Sequence, residues 1–288
     1  MVAFNHIKQL ELQAIDLIRE VCATNNLDDI VVFYSIGKDS SVMLRLFEKA
    51  FYPQKIPVKF MHIDTGYKFK EMYEFRDKVA QKIDLIVYKH PAELNPFTDG
   101  RKYTDVMKTQ ALKNALSQYK FKIAFGGSRR DEEKSRAKER LVSIRDENCR
   151  WNPREQNPEI PPLYNTFVTD DTSLRIFPLS NWTEADIWEY IKLENIEVVP
   201  LYFAAERRVI ETDSGSYIAT QNDTGELKQV RFRTLGCYPL TGAILSEAKN
   251  VDDILKELKN TKYTERITRV IDYDAEGSME IKKKEGYF

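Results

Sequence analysis

The chain has 288 residues, with 44 Lys or Arg against 45 Asp or Glu, a net charge of −1, and 42% apolar residues. That length accommodates one large domain, or a domain with a substantial appendage, around a packed core. Near-neutral charge argues against nucleic acid as the main partner, and no apolar run approaches a membrane span. Cys22, Cys149 and Cys237 are too widely spaced for a zinc site or a disulfide framework. Met1–His6 lacks a basic-then-apolar leader, so the expected compartment is the cytoplasm.

Apolar residues at helical spacing over 6–24 predict an amphipathic lead-in helix. A strand over 30–34 and a helix over 39–50 follow, then a strand over 57–63 ending in Asp64-Thr65-Gly66. Phe69, Met72, Tyr73 and Val79 mark the next helix, and 85–88 the next strand. A helix over 105–119 leads to a strand over 121–125 that closes in Gly126-Gly127. Residues 129–150 are intensely charged, and 151–165 are rich in Pro and Asn, which reads as a long loop. A strand over 174–178 precedes a helix capped by Thr183, with Asp186 at its third position. The polar 211–229 segment reads as a surface hairpin, and 249–260 as a last amphipathic helix. Strands alternating with helices predict an α/β fold with a doubly wound, mostly parallel sheet and an irregular C-terminal extension. The expected division is 1–210 for the nucleotide-binding and catalytic domain and 211–288 for an extension packing on it and on another chain.

In such sheets ligands collect at the carboxyl ends of strands, and three of those ends carry chemistry. The first, Ser35-Ile36-Gly37-Lys38-Asp39-Ser40-Ser41, sits between a strand and a helix and suits a polyphosphate held at a helix N-terminus. Lys38 adds positive charge, Gly37 allows close backbone approach, and Asp39 is placed to hold Mg²⁺. It is not a Walker A loop, because Val32 stands where the first Gly belongs and Asp39 where Ser or Thr belongs. The second end holds His62 and Asp64; His62 reads either as a packed histidine or as one facing the site. The third runs Gly126-Gly127-Ser128-Arg129-Arg130 and on to Lys134 and Arg136, where guanidinium groups suit oxyanions. Arg129 and Arg130 are expected to face ligand, with Lys134 and Arg136 next.

The Ser-x-Gly-x-Asp-Ser pattern resembles that of the PP-loop ATP pyrophosphatase superfamily. Together with His62–Asp77, Gly126–Arg140, Phe177–Trp188, Pro200–Arg207, Val230–Gly242 and Gly277–Phe288, it resembles the sulfate adenylyltransferase subunit 2 family, nearly end to end. That family comprises the small catalytic subunits of heterodimeric bacterial ATP sulfurylases. The resemblance implies an adenine nucleotide alpha hydrolase-like fold, ATP and Mg²⁺ as ligands, and adenylyl transfer to sulfate. It also implies a separate GTPase large subunit whose GTP hydrolysis drives the reaction. Sulfate is a dianion and needs no general base, so positioning and charge neutralisation suffice. The related phosphoadenylyl-sulfate reductases need redox cysteines, and here the tail has none. A PP-loop sulfur-transfer enzyme and a nucleotide-sensing regulatory subunit remain as alternatives.

Overall fold

The computed structural model describes residues 5–132, 136–160, 163–212, 217–219, 225–261 and 265. Helix α1 (His6–Thr24) is capped by the Asn5 side chain, which accepts the Lys8 N–H at 2.8 Å. Strand β1 (Ile30–Phe33) leads through a tight bend into α2 (Lys38–Phe51). Then come β2 (Lys59–Asp64), α3 (Lys70–Ala80) and β3 (Leu85–Lys89). The helix expected over 105–119 starts earlier, as α4 (Gly100–Thr104), and passes through a π turn over Asp105–Gln110 into α5 (Ala111–Tyr119). Strands β4 (Ile123–Phe125), β5 (Val142–Arg145) and β6 (Ser173–Ile176) precede α6 (Glu184–Leu193). Thr183 and Asp186 close the expected capping box on α6.

These six strands form one sheet in the order β3-β2-β1-β4-β6-β5, parallel except for β5. The chain winds outward from β1 to β3, then crosses back to β4 on the other side of β1. The β1/β4 boundary is therefore the topological switch point. Ile30, Val31 and Val32 are fully buried, as a central parallel strand covered on both faces requires. Phe47 of α2 packs edge-on against Phe60 and Phe125, with ring centroids 5.8 and 5.0 Å apart. Trp182 and Trp188 are core anchors, stacked edge-on with Tyr190 and Tyr202.

Strand β5 emerges from the charged 129–150 segment. Its Arg145 is buried and donates to Glu139 at 2.6 Å and to Ser143 at 2.5 Å, so an ion pair neutralises charge that disguises the strand in the sequence. Residues of the 151–160 stretch cover this edge of the sheet: the Gln156 side chain accepts the Ile144 N–H at 2.9 Å, and Glu159 accepts those of Leu141 and Val142.

Beyond the sheet, β7 (Ala205–Glu211), β8 (Tyr217–Ala219), β9 (Glu226–Phe232) and β10 (Gly242–Leu245) close into a small antiparallel barrel in the order β10-β8-β7-β9. The polar 211–229 segment thus contributes Glu211, Tyr217–Ala219 and the start of β9 to this barrel, and position 210 falls inside β7. Helix α7 (Val251–Asn260) follows; its Glu257 accepts from the buried Arg231 of β9 at 3.1 and 2.5 Å. The tail with Lys282–Lys284 lies outside the described residues. No helix among the described residues is long and apolar enough to cross a membrane.

His62 near the end of β2 ties that strand to the bend after β1. Its Nδ1–H, in the tautomer the contact requires, donates to the Tyr34 carbonyl at 2.8 Å. Burial, reinforced by the charge of Lys68, pulls the imidazole down to about 3. The unfolded chain, with an ordinary histidine near 6.5, therefore takes up a proton over a range where the folded chain does not. Stability is expected to fall as pH drops below about 6.5, by up to about 1.4 kcal/mol per pH unit from this group alone. Urea midpoints of the chain and of His62→Asn between pH 7 and 5 check this: the variant's slope should be flatter by that amount.

Candidate functional site

The bend after β1 is strained. Ile36, a β-branched residue, holds φ at 71°, a left-handed conformation costing about 1–3 kcal/mol. Gly37 itself is extended, with φ −73° and ψ 167°. Its small size is needed for another reason, since an added Cβ would lie 3.3 Å from Tyr202 Oη and 3.4 Å from Ser35 Oγ. The Tyr202 hydroxyl accepts the Lys38 N–H at 2.8 Å, taking one of the donors that a helix start leaves without an internal acceptor. Ser40 and Ser41 donate back to the Gly37 carbonyl at 2.8 and 3.2 Å.

Four charges meet at this helix head. Lys38 is buried, with Nζ paired to Glu265 and to Asp39 Oδ2 at 3.3 Å. Arg129, also buried, donates from Nε to Asp39 Oδ1 at 2.7 Å and pairs through Nη2 with Glu265. The cluster therefore alternates cation and anion. Burial opposes the charge on Lys38, but Asp39 and Glu265 overcome it and raise the ammonium above its ordinary value. Burial likewise opposes the Asp39 carboxylate, yet Lys38 and Arg129 hold it below the usual range. For Glu265 burial prevails and raises the carboxyl despite the same two cations. Gly127 at the end of β4 backs directly onto this cluster: an added Cβ would stand 3.2 Å from the Asp39 Cβ.

A cavity of about 210 Å³ opens here, at the switch point. Of the residues named from sequence, Ser35, Gly37, Lys38, Asp39, Ser40, Gly126, Gly127 and Arg136 line it. A second cavity of about 230 Å³ adjoins it, sharing Phe33, Ser35 and Leu235. His62 lines this second space, and its Nε2 has no hydrogen-bond partner among the described residues. Lys68 and Lys108 line it too. Burial raises the neighbouring Cys237 thiol, but Lys108 and Lys68 outweigh that and pull it down to about 7. A still larger cavity, about 930 Å³, lies at the amino ends of β2 and β3, remote from all of these groups. Its Arg45 and Lys49 are already paired with Glu194, at 3.1 and 2.6 Å, so the smaller switch-point cavities carry the chemistry.

Other expected residues sit apart. Ser41 is buried beneath the bend, and Asp64 caps its own turn, accepting from the Gly66 N–H at 2.8 Å, Tyr73 at 3.1 Å and Arg76 at 3.2 Å. Arg130 turns to structure, bonding Asn181 and, at 2.8 Å, the Glu139 carbonyl. Lys134 lies outside the described residues. Sequence reasoning missed Tyr202 and Glu265. Tyr202 stands in Pro200–Arg207, a segment already singled out, whereas Glu265 sits in a stretch without any period.

Asp39 fits a divalent cation carried on a substrate's phosphates. Its side chain is 24% exposed, and it lines the cavity. Among the described residues no group of three or more His, Cys, Asp or Glu could hold a metal ion.

The profile of the phosphoadenosine phosphosulfate reductase domain family matches residues 29–243. Sulfate adenylyltransferase subunit 2 of Bacteroides fragilis is 55% identical over 99% of this chain and 98% of its own length. The subunit 2 of Vibrio vulnificus is 56% identical, covering 98% of each chain. Among solved structures, Candida glabrata FMN adenylyltransferase in complex with ATP superposes with a TM-score of 0.51 at 15% identity, over 91% of this chain and 87% of that one, a likeness of fold. The chain belongs to the sulfate adenylyltransferase subunit 2 family, nucleotidyltransferases built on the phosphoadenosine phosphosulfate reductase domain.

Proposed function

We propose that this chain transfers the adenylyl group of ATP to sulfate, giving adenosine 5′-phosphosulfate and pyrophosphate. A sulfate oxygen attacks the α-phosphorus, and the bond between that phosphorus and the α,β-bridging oxygen breaks. The observation that carries this reading is the convergence of Lys38 and Arg129 on one buried carboxylate at the head of α2. Two preorganised cations around an anion seat are what a departing pyrophosphate needs. In this reading the triphosphate replaces Glu265 between them, and the nucleoside occupies the adjoining cavity beside His62. His62 is neutral at physiological pH, so it reads the nucleoside as a hydrogen-bonding group and not as a cation. Asp39 would hold Mg²⁺ there, and the ion would supply further charge neutralisation on the phosphates. No group here removes a proton from the acceptor, and a dianionic acceptor requires none.

The name of the family's second subunit implies a companion, and we assign that role to a GTPase large subunit whose GTP hydrolysis drives the unfavourable equilibrium. We assign the contact surface for that subunit to the C-terminal part of the chain after position 210. Sulfate-dependent exchange of labelled pyrophosphate into ATP by the assembled complex tests the activity; exchange with a different acceptor, or none, overturns it.

Asp39→Ala should lower kcat/KM for exchange at least about a hundredfold while circular dichroism stays native; near-normal turnover removes Asp39 from the site. Glu265→Gln should tighten binding of a non-hydrolysable ATP analogue by about fivefold, since the internal competitor loses its charge. Weaker binding shows instead that Glu265 supports the nucleotide site.

A further inference from the structure

The Lys38–Arg129 pair accounts for one anion, but the proposed reaction brings two to the same place. Of the four basic residues after β4 that the sequence points toward ligand, three lie among the described residues, and the structure separates them. Arg129 is committed to Asp39 and Glu265. Arg130 is spent on Asn181 and the Glu139 carbonyl, and it does not line the cavity. Arg136 is different. It is only 5% exposed and lines the 210 Å³ cavity, yet its Nε and Nη1 have no hydrogen-bond partner among the described residues. Its ion pair to Glu132 Oε2 is long at 3.8 Å. Thr234, two residues past β9, lines the same cavity, is 6% exposed, and has an Oγ1 without a hydrogen-bond partner among the described residues.

A buried donor without an acceptor is costly, and a buried guanidinium more so. Two such groups around one small polar cavity mark a place built for a ligand that brings acceptors. The ligand has to be an anion, because the side chain with two unused donors is a permanent cation. It has to be small, because the cavity also contains the phosphate bend. Sulfate fits: it offers four acceptor oxygens, bears two negative charges and carries no proton at neutral pH. The two donors also come from separate parts of the fold. Arg136 follows the sheet strand β4, and Thr234 follows the barrel strand β9.

We infer that Arg136 and Thr234 form the seat of the acceptor tetraoxoanion, distinct from the Lys38–Arg129 seat of the polyphosphate. This deepens the proposed function and rests on it for the identity of the anion. The assignment divides the cavity between two anions. One is gripped by the helix head and neutralised by its cations. The other is held by the two guanidinium nitrogens and the hydroxyl that have no hydrogen-bond partner among the described residues.

The test separates binding from turnover. Thermal melting of the full-length chain saturated with a non-hydrolysable ATP analogue is measured with sodium sulfate against sodium chloride at equal ionic strength. Sulfate should raise the melting temperature of the parent chain, and the rise should be lost in Arg136→Ala and reduced in Thr234→Val. In the assembled complex, Arg136→Ala should raise the sulfate KM about tenfold or more with the ATP KM within twofold. Arg136→Lys should recover part of that loss, and Thr234→Val, which preserves shape, should raise the sulfate KM several-fold. Equal losses for ATP and sulfate would place Arg136 in the polyphosphate seat and overturn the proposal. An unchanged sulfate KM in both Arg136→Lys and Thr234→Val would do the same, with folding verified by their melting curves. If sulfate stabilises the chain through Arg136 but exchange proceeds without sulfate, the anion seat stands and the proposed reaction falls.

Discussion

The structure depends on one arrangement of charge: Lys38, Asp39, Arg129 and Glu265, alternating in sign and buried at the head of α2. Burying a single one of these groups would cost several kcal/mol, and only close pairing offsets it. The surrounding backbone serves that pairing. The left-handed Ile36 turns the chain into the helix, Tyr202 caps the Lys38 N–H, and the bare Cα of Gly127 lets β4 approach Asp39. A side chain at Gly127 would press on Asp39, whose Cβ and carbonyl carbon would stand 3.2 and 3.4 Å from the added Cβ. The site is therefore a consequence of the β1/β4 crossing, and its rigidity comes from the sheet.

Much of this is legible in the residues. The alternation of apolar runs predicts the six-stranded sheet apart from β5, and the strand ends predict the bend, Gly126-Gly127 and Arg129. What stays hidden has physical causes. Strand β5 carries Ser143 and Arg145 into the core, where an ion pair with Glu139 replaces the apolar side chains that a periodicity search needs. In the barrel, β7 reads Ala-Glu-Arg-Arg-Val-Ile-Glu, and only Val209 is buried, so closure of the strands on one another, more than burial, defines it. Arg207 contributes to that closure by donating to the Val230 carbonyl at 2.6 Å. Glu265 is 227 residues from Lys38, and no local pattern announces so distant a partner. Arg129 and Arg130 are adjacent and alike in sequence; only the fold sends one into the cluster and the other to Asn181.

The two adjoining cavities give the proposed chemistry its layout. Strand ends of the sheet supply the phosphate bend and the His62 side of the nucleoside space. The segment after β9 supplies Thr234 and Leu235, and Leu235 borders both spaces. A small barrel packed on a doubly wound sheet thus closes the open side of the switch point. That closure matters for a reaction between two anions. Catalysis by charge neutralisation gains strength as water is excluded, since the same cations act through a lower effective dielectric. Chemistry of this kind asks for placed cations and a dry cavity. A chain with three histidines, none of them positioned as a base for the acceptor, can supply it.

The two carboxylates of the cluster are not equivalent, and the difference orders the proposed cycle. Asp39 accepts from Arg129 along a well-formed 2.7 Å bond and is held below the ordinary carboxylate range. It is the permanent anion. Glu265 is pushed the other way by burial, so its charged form is the less comfortable of the two. Without it, Lys38 and Arg129 would share Asp39 as their remaining counter-ion in the cluster, and the charge of Arg129 would disfavour that of Lys38. A carboxylate that neutralises this pair in the nucleotide-free protein, while being a weaker counter-ion than a triphosphate, keeps the seat assembled and exchangeable. The polyphosphate then enters a site whose cations are already in place, so little of its binding energy is spent organising them.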